Sequence, residues 1–575
     1  MKEMLQMTLI LAMFVLLIFP VGKYLYNIAF ENKTFADGLF DKIDENIYRF
    51  CGIQKKDMTW KQYFIAMLMT NFIMVMIGYL ILKIQFIPIF NPNKIEAMEA
   101  TLSFNTITSF ITNTNLQHYS GESGLSYMSQ MMVIIFMMFT SGATGFSVAM
   151  AFIRGISGKA EGFGNFYVDL IRIITRALLP IAIMVSLILV SQGVPQNLNQ
   201  NITVSTIDGK LQDIAMGPIA ALESIKHLGT NGGGFLGANS STPLENPNVI
   251  TNIVEMLSMM LFPGACIITF GYALRDRVKK NNNMIKNKIT FIGKDAKVIF
   301  CVMLSIFIIG LMTCFISESA QNPIFEKIGL QQSIGNMEGK ETRFGIVQSA
   351  MFTTVTTAFT TGSVNNMHDT LTPIGGAVPL MNMMLNVVFG GKGVGLMNML
   401  LYVILTVFIC GLMIGRTPEY LGKKIEATEM KLAALGIIIH PMLILIFSAM
   451  AVIFPCGIAG ITNPSHHGLT QVLYEYASSA ANNGSGFEGL ADNNNFWNIT
   501  TGLVMLFGRY LPIVVQLAIA GSLLKKSPVN ESIGTLKTDS MTFGVTLFVV
   551  ILIIAALTFF PVMVLGPISE HLIYS

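Results

Sequence analysis

Charged side chains are scarce in this sequence. Asp, Glu, Lys and Arg together make up 12% of its 575 residues, against about 25% in a typical soluble domain. Apolar residues make up 52%. A chain with so little charge cannot cover a large water-exposed surface, so most of it must face lipid or other protein. The six cysteines include no CxxC pair, which argues against a disulfide framework and a cysteine-based zinc site.

The motifs of ATP chemistry are absent as well. The sequence contains no DKTGT-type phosphorylation segment and no GxxxxGK[ST] phosphate loop. We therefore expect no nucleotide site and no catalytic residues on this chain.

Long apolar runs are abundant instead. Ten of them are long enough to be read as membrane-spanning helices, which need roughly 20 residues. The first run lacks a small-residue cleavage site and precedes another span, so it is predicted to be a retained helix rather than a secretory signal. The chain is predicted to be an all-α polytopic membrane protein with ten transmembrane helices. The runs lie near residues 4–26, 63–90, 126–153, 167–191, 249–274, 297–317, 380–414, 432–456, 499–524 and 540–566.

Basic residues indicate the orientation of these spans, because cytoplasmic loops carry an excess of Lys and Arg. If the spans alternate and the first enters from outside, 25 of the 36 basic residues fall in five cytoplasmic loops. Both termini are then predicted to be extracytoplasmic. The five loops are residues 27–62, 154–176, 275–297, 416–431 and 525–537.

Four outer loops each contain a second, shorter apolar segment that ends in a polar cluster. These segments read "EAMEATLSFNTITSFITNTNLQ", "MGPIAALESIKHLGTNGGGF", "FGIVQSAMFTTVTTAFTTGSVNN" and "QVLYEYASSAANNGSGF". Each helical part is too short to span a bilayer. Irregular backbone at membrane depth is tolerated only where it lines a cavity or is buried in protein. Four re-entrant helices that meet at one central pore are therefore predicted.

The four polar clusters can be laid over one another, with a glycine at the third position in three of them. Glycine allows backbone carbonyls to approach an ion closely, and rings of carbonyls form potassium filters. We therefore predict a K⁺ filter, although any single cluster could equally be an ordinary Gly/Asn turn. The predicted filter residues are Thr112, Asn113, Thr114, Asn115, Thr230, Asn231, Gly232, Gly233, Thr360, Thr361, Gly362, Ser363, Asn482, Asn483, Gly484 and Ser485.

Acidic residues outnumber basic ones around the predicted outer mouth. Such an excess would concentrate cations there, although any one carboxylate could be a solvated loop charge. The acidic residues are Glu122, Glu223, Asp369, Glu475, Glu488 and Asp492.

Five motifs carry a family resemblance over nearly the whole chain: "TNTNLQHYSGE", "HLGTNGGGFLGANSSTPLENP", "TTGSVNNMHDTLTP", "IGRTPEYLGKKIE" and "SSAANNGSGFEGL". They closely resemble the family of potassium-transporting ATPase potassium-binding subunits (KdpA). The resemblance implies four channel-like repeats in a pseudo-fourfold arrangement, each with an outer helix, a re-entrant pore helix, a filter and an inner helix. It also implies three partners: a P-type ATPase catalytic subunit (KdpB), a single-span subunit (KdpC) and a small one-helix subunit (KdpF).

On this pattern the chain is one membrane domain, 1–575, in a bacterial or archaeal cell membrane. An extra helix is expected at each end of the four repeats. The predicted divisions are 1–60 for the N-terminal helix and loop, 61–154, 165–276, 295–416 and 430–526 for the repeats, and 538–575 for the C-terminal helix.

The third inner helix is predicted to break at "FGGKGVG". Four glycines, Gly390, Gly391, Gly393 and Gly395, surround Lys392 in this stretch. A lysine inside a span is costly, so Lys392 is expected to face a cavity or an ionic partner. The resemblance implies that this stretch forms an intramembrane loop below the filter, which gates the ion or redirects it toward the pump subunit. The alternative is that the glycines allow close helix packing and Lys392 reaches the inner face.

Three further residues belong to the predicted site. Arg509 is a second charge within a span, with either a pore-lining or a structural role. Gln117 and Gly234 follow the first and second clusters and are expected to support the filter, although Gln117 could be a plain loop amide.

The leading hypothesis is a potassium-selective subunit that captures external K⁺ and delivers it to an ATP-hydrolysing partner. The alternative is a self-sufficient Trk/Ktr-type K⁺ or Na⁺ transporter driven by ion gradients, which the same repeats would serve. An intramembrane enzyme is a third possibility, but no catalytic or metal-binding constellation supports it.

Overall fold

A computed structural model of the chain confirms the all-helical membrane architecture. It describes residues 2–35, 37–158, 162–281, 292–320, 325, 329–330, 334–415, 417–527, 529 and 536–574, so residues 282–291 of the predicted cytoplasmic loop 275–297 lie outside the described part. Ten helices in these ranges are long and apolar enough to cross a membrane. In order, these spans are Met4–Ala29, Trp60–Ile84, Tyr127–Ser157, Phe166–Ser191, Val249–Asp276, Lys294–Ser319, Gly391–Met413, Ala427–Ile453, Asn495–Lys525 and Met541–Tyr574.

Shorter elements connect the spans. Four of them, which we name pore helices one to four, are Ala100–Ile111, Ile219–Leu228, Gly345–Ala358 and Ser465–Ala481. The other helices are Asp37–Cys51, Gly121–Gly124, Asn239–Ser241, His368–Thr370, Pro373–Leu385 and Pro455–Ile458. Two antiparallel hairpins pair Ile202–Ser205 with Leu211–Ile214 and Glu419–Tyr420 with Lys423–Lys424.

The spans differ in how deeply they lie inside the protein. The third and fifth spans are 72% and 78% buried, whereas the second and sixth are only 28% and 33% buried. The first and tenth spans, at the two ends of the chain, are buried by 22% and 28%. Burial therefore divides the helices into a central set, against which the pore helices pack, and an outer set that presents Leu, Ile, Phe and Met side chains outward.

Glycines allow the central helices to approach closely. Gly142 of the third span lies against pore helix two, where a Cβ would be 3.3 Å from the Gly229 Cα. Gly264 of the fifth span faces the ring of Phe14, so the first span packs directly on the fifth. These small residues leave little space between the central helices and the pore helices, and they give close backbone packing around the axis.

The seventh apolar run is divided into two helices. Helix Pro373–Leu385 ends at Asn386, which has a φ of 47°, and the next continuous helix begins at Val394. Between them Phe389, Gly390, Lys392 and Gly393 also have positive φ. A backbone with so many left-handed residues cannot continue an α-helix.

Candidate functional site

All four pore helices end in the same backbone motif. After the last helical turn, one residue has a left-handed conformation with φ between 49° and 62°. The N–H of the following residue then donates to the carbonyl five positions earlier at 2.8–2.9 Å. This is the Schellman helix end, which turns the chain sharply away from the helix axis. The left-handed residues are Asn113, Thr230, Thr360 and Asn482.

We call the residues that follow pore helices one to four segments one to four. The left-handed residue at the start of each segment fixes which positions of the four segments are equivalent. It aligns Asn113, not Thr112, with Thr230, so the first segment is shifted by one position from the overlay read from the sequence. Thr112 belongs to the helix end, where its hydroxyl donates to the Thr108 carbonyl at 2.8 Å. Asn115, with a φ of 60°, then takes the place of the glycine in the other three segments.

The segments converge so closely that backbone meets backbone. A Cβ added to Gly232 would lie 2.5 Å from the Thr114 carbonyl oxygen and 2.7 Å from the Gly484 Cα. A Cβ on Gly362, whose φ is 99°, would collide with the Asn483 carbonyl oxygen. Only glycine fits here, because the carbonyls of Thr114 and Asn483 lie against these glycines from the neighbouring segments.

Side-chain hydrogen bonds join each segment to the next in a closed ring. Every neighbouring pair in the order one, two, three, four, one is linked. The donor and acceptor pairs are Asn113 Nδ2 to the Thr230 carbonyl at 2.8 Å, Ser363 Oγ to Asn239 Oδ1 at 3.2 Å, Asn483 Nδ2 to the Thr356 carbonyl at 3.0 Å, and Asn482 Nδ2 to Thr114 Oγ1 at 3.0 Å.

Some buried polar groups of the segments have no partner within the described residues. They are both amide atoms of Asn115, Oδ1 of Asn231 and Oγ1 of Thr361. Each of these side chains is fully buried, and an unpaired buried polar group is costly. Oxygen atoms of this kind suit a hard cation that has lost its water, so the residues present fit K⁺ as the transported substrate.

Gln117 contacts the second segment with both ends of its amide. Its Nε2 donates to the Gly234 carbonyl at 3.1 Å, and its Oε1 accepts from the Gly234 N–H at 2.9 Å. A Cβ on the neighbouring Gly233 would lie 2.8 Å from the Gln117 Cδ. Gln117 and Gly234 thus connect the outer parts of segments one and two.

The side chains of Ser363 and Ser485 bond to neighbouring side chains. Ser363 Oγ is 3.0 Å from His227 Nε2, and Ser485 Oγ donates to Asn483 Oδ1 at 2.6 Å. These serines hold their segments in place through such bonds.

Pore helix two carries a buried ionic network that the sequence did not reveal. Lys226 Nζ contacts Glu223, lies 3.1 Å from Glu245 Oε2 and donates to Asn239 Oδ1 at 2.6 Å. Asn239 Nδ2 in turn donates to the Gly232 carbonyl at 3.0 Å. Glu223 was expected at the outer mouth, but it is completely buried behind the second segment. A lysine in the last turn of a short apolar helix was the signal available for this network.

At the predicted outer mouth, His118 lies between two carboxylates. Its Nε2 is 3.2 Å from Glu475 Oε1 and 3.8 Å from Asp492 Oδ2, and its Nδ1 is 2.7 Å from Asn498 Oδ1. Burial lowers the pKa of His118, but Asp492 and Glu475 outweigh burial and raise the pKa to about 9. Burial raises the pKa of Asp492 to about 7, although His118 opposes this.

A second histidine lies between carboxylates nearby. His467 is 3.1 Å from Asp369 Oδ1 and 2.9 Å from Glu570 Oε1. Burial lowers the pKa of His467, but these two partners outweigh burial and raise the pKa to about 10. Glu488 accepts the His368 N–H at 2.8 Å, and burial raises the Glu488 pKa to about 8. Glu122 also lies at this side, where it accepts the Gly237 N–H at 2.8 Å.

The interrupted helix places residues 390–393 directly at the inner end of the four segments. A Cβ on Gly391 would lie 2.5 Å from Thr230 Oγ1 and 2.7 Å from the Thr360 carbonyl oxygen. Lys392 Nζ donates to the Asn113 carbonyl at 3.0 Å and to the Asn482 carbonyl at 2.7 Å. We name residues 390–393 the inner loop, because they contact the left-handed residue of every segment.

Close packing holds the inner loop in this position. The ring of Phe389 stacks on that of Phe359 with centroids 4.7 Å apart, and the Gly390 N–H donates to the Ala358 carbonyl at 3.0 Å. Gly390 also lies against the backbone of Gly395, where no side chain fits. A Cβ on Gly393 would collide with that of Ala149 in the third span.

Arg509 lies beside the inner loop in the ninth span. It is buried, and neither terminal guanidinium nitrogen has a hydrogen-bond partner among the residues that the structure describes. Arg509 lines a cavity of about 50 Å³, to which Asn386 and Val394 on either side of the inner loop also contribute. The other polar residues lining that cavity are Asn398, Tyr402, His440, Asn482, Gln516 and Thr558.

Comparisons with known proteins show the family of this chain. A family profile described as "KdpA: Potassium-transporting ATPase A subunit" matches residues 8–572. The protein named "Potassium-transporting ATPase potassium-binding subunit" from Clostridium acetobutylicum is 57% identical over 571 residues, 99% of this chain and 100% of the relative. The protein of the same name from Geobacillus kaustophilus is 53% identical over 568 residues, 99% of this chain and 98% of the relative.

A solved structure shares the fold. The potassium transporter TrkH from Vibrio parahaemolyticus matches with a TM-score of 0.52 and 14% identity, covering 87% of this chain and 97% of that chain.

Proposed function

Because the chain belongs to the family of potassium-transporting ATPase A subunits (KdpA), we propose that its four segments bind K⁺ from the outer side and pass it to an ATP-hydrolysing partner. The chain is the potassium-binding subunit of the complex and not the catalytic one.

The observation that carries the proposed binding site is the fourfold recurrence of one helix end around a glycine-lined axis. Four helix C-termini direct their partial negative charge at the same point, which favours a cation there. Glycines at three positions bring carbonyl oxygens together, in the manner of potassium filters. The predicted filter residues are assigned to this site, with Thr112 at its helix-end boundary and Gln117 and Gly234 as supports.

The proposal also includes the partner subunits, the orientation of this chain in the membrane and the bounds of the repeats. The partners are a P-type catalytic subunit (KdpB), a single-span subunit (KdpC) and a one-helix subunit (KdpF). The complex lies in the cell membrane with both termini of this chain extracytoplasmic, because most basic residues then face inward. The repeats occupy 61–154, 165–276, 295–416 and 430–526, with 1–60 and 538–575 outside them.

Family membership favours this function over a self-sufficient Trk/Ktr-type transporter, since the similarity to TrkH at 14% identity reflects shared fold alone. The two functions predict different requirements for a partner chain, and cells that lack other potassium uptake systems can distinguish them.

The test is growth of such cells at micromolar K⁺ with this chain expressed alone or together with its P-type ATPase partner. We expect growth only when the partner is present. A matched control combines this chain with a partner whose phosphorylated aspartate is changed to asparagine, and this pair should not grow. Growth with this chain alone would overturn the proposed division of labour.

A further inference from the structure

The ammonium group of Lys392 lies beside the left-handed residues at one end of the four segments. Its Nζ contacts the backbone carbonyls of Asn113 and Asn482 at 3.0 Å and 2.7 Å. These two residues hold equivalent positions in the first and fourth segments, because both are the left-handed residue of their helix ends. Lys392 belongs to the proposed third repeat, so both of these contacts join residues that are far apart in the sequence.

The surroundings of Lys392 are those of a bound cation and not those of an ion pair. Lys392 is completely buried, and it forms no ion pair with any carboxylate in the described ranges. Its nearest charged neighbour is another cation, since both Lys392 and Arg509 lie against Gly145. Backbone carbonyls are therefore the groups that compensate its charge, as they would compensate the charge of K⁺.

The fold also makes room for the lysine stem at this point. A Cβ on Gly145 would collide with the Cβ of Lys392 and would lie 3.2 Å from its Cγ. Gly391, the residue before Lys392, packs against Thr230 and Thr360. One face of the inner loop thus covers the second and third segments, while the lysine covers the first and fourth.

We propose that the Lys392 ammonium is a tethered cation that competes with K⁺ for the Asn113 and Asn482 carbonyls and so limits how many ions the filter holds. This inference rests on the proposed function of the four segments. Lys392 is a positioning and specificity-determining residue in this view, because an ion can leave inward only after the ammonium moves from these carbonyls.

The test is equilibrium binding of radioactive Rb⁺ to the purified complex of this chain with its partner. In Lys392→Met the side chain stays unbranched, becomes one atom shorter and loses its charge, so we expect one additional Rb⁺ per complex. Binding should also tighten by on the order of tenfold, because a like charge a few ångströms away is removed. The Lys392→Arg variant keeps the charge and should retain the ion count of the native chain.

Two further variants distinguish the effect of the lost positive charge on Rb⁺ binding from the effect of a structural disturbance. Lys392→Gln retains a donor for the carbonyls but no charge, so it should also bind more Rb⁺ and serves if the methionine variant fails to assemble. Lys210→Met removes an exposed charge between the paired strands Ile202–Ser205 and Leu211–Ile214, and it should leave the ion count unchanged.

The outcomes distinguish this inference from the proposed function. If the native complex binds Rb⁺ but Lys392→Met and Lys392→Gln bind the same number with the same affinity, the tethered-cation role is refuted while the filter stands. If the native complex binds no Rb⁺, the proposed filter itself is wrong and the inference falls with it.

Discussion

The outer and inner ends of the proposed filter have opposite electrostatics. At the outer end, His118 and His467 each lie between two carboxylates. At the inner end, within the described residues, Lys392 and Arg509 form no ion pair. Acidic groups outside concentrate cations, whereas unpaired positive charge inside opposes their departure. The comparison teaches that such a site captures ions readily and releases them only when its inner end changes.

Between the two ends, the glycines should be least tolerant of change, and Gly362→Ala should have the largest effect. The added Cβ would collide with the Asn483 carbonyl, and the φ of 99° is unfavourable for alanine. We expect K⁺ affinity to fall by about a hundredfold, equivalent to ~2.7 kcal/mol, as measured by Rb⁺ binding. Gly193→Ala is a matched control, because Gly193 has a φ of 100° but open space around it. Equal losses in the two variants would contradict a role for the Gly362 contacts.

A smaller effect is expected when the inner end is disturbed through Gly391→Ala. The new methyl group would lie 2.5 Å from Thr230 Oγ1 and 2.7 Å from the Thr360 carbonyl oxygen, so the inner loop must shift away from the segments. We expect passive Rb⁺ leakage from proteoliposomes to rise by about tenfold, since a displacement that costs ~1.4 kcal/mol changes an equilibrium tenfold. Gly415→Ala is the control, because Gly415 lies just after the seventh span and has open space around it. If proteoliposomes with the Gly391→Ala variant leak Rb⁺ no faster than those with the native chain, the inner loop does not close the inner end.

Neutralising the outer end should weaken capture modestly. Asp492→Asn removes a partly accessible carboxylate 3.8 Å from His118, so the apparent K⁺ affinity for uptake should fall by roughly threefold at low ionic strength and less in high salt. Asp208→Asn, in the turn of the outer hairpin, provides the control. If the decrease does not depend on ionic strength, Asp492 acts through local structure and not through the field at the mouth.

The smallest expected effect is a pH dependence of stability at the outer end. The pKa of His118 is raised to about 9 in the folded chain, so folding binds a proton there, and its stabilising contribution is complete below about pH 6.5. That contribution is lost as the pH rises through 9. The melting temperature of the complex should therefore fall by a few degrees between pH 6.5 and 9, as thermal unfolding would show. His118→Gln should flatten this decline, and an identical slope in the variant would exclude His118 as its source.

The sequence predicted the spans well because lipid imposes a simple rule: a spanning helix must be long and apolar. The polar clusters were visible for the same reason, since they interrupt that pattern. The register of the first segment was not accessible, because Thr112 resembles Thr230 as a residue while the left-handed conformation belongs to Asn113. Which residue turns the backbone is decided by the helix end and its tertiary support.

The contacts of Lys226 and Lys392 were also beyond sequence reasoning. Glu245 and Asn239, the partners of Lys226, come from the chain after the second segment, and only the fold brings them back to the pore helix. Lys392 contacts backbone carbonyls of other repeats, and carbonyls are present at every residue and leave no sequence signature. The prediction that Glu223 lies at the outer mouth was wrong, because a carboxylate in an outer loop is ordinarily expected at the surface. The sequence does not show that Lys226 is its buried partner.

The closed ring of four segments is made by a single polypeptide. In a pore assembled from four identical chains, every substitution is repeated four times and every inner helix changes alike. Here the four segments differ: among the described residues, the interrupted helix with Lys392 lies after the third segment, whereas the buried network of Lys226 lies behind the second. Each of the four segments can therefore change independently of the others. An exit can open on one side of the axis while the other three sides stay fixed.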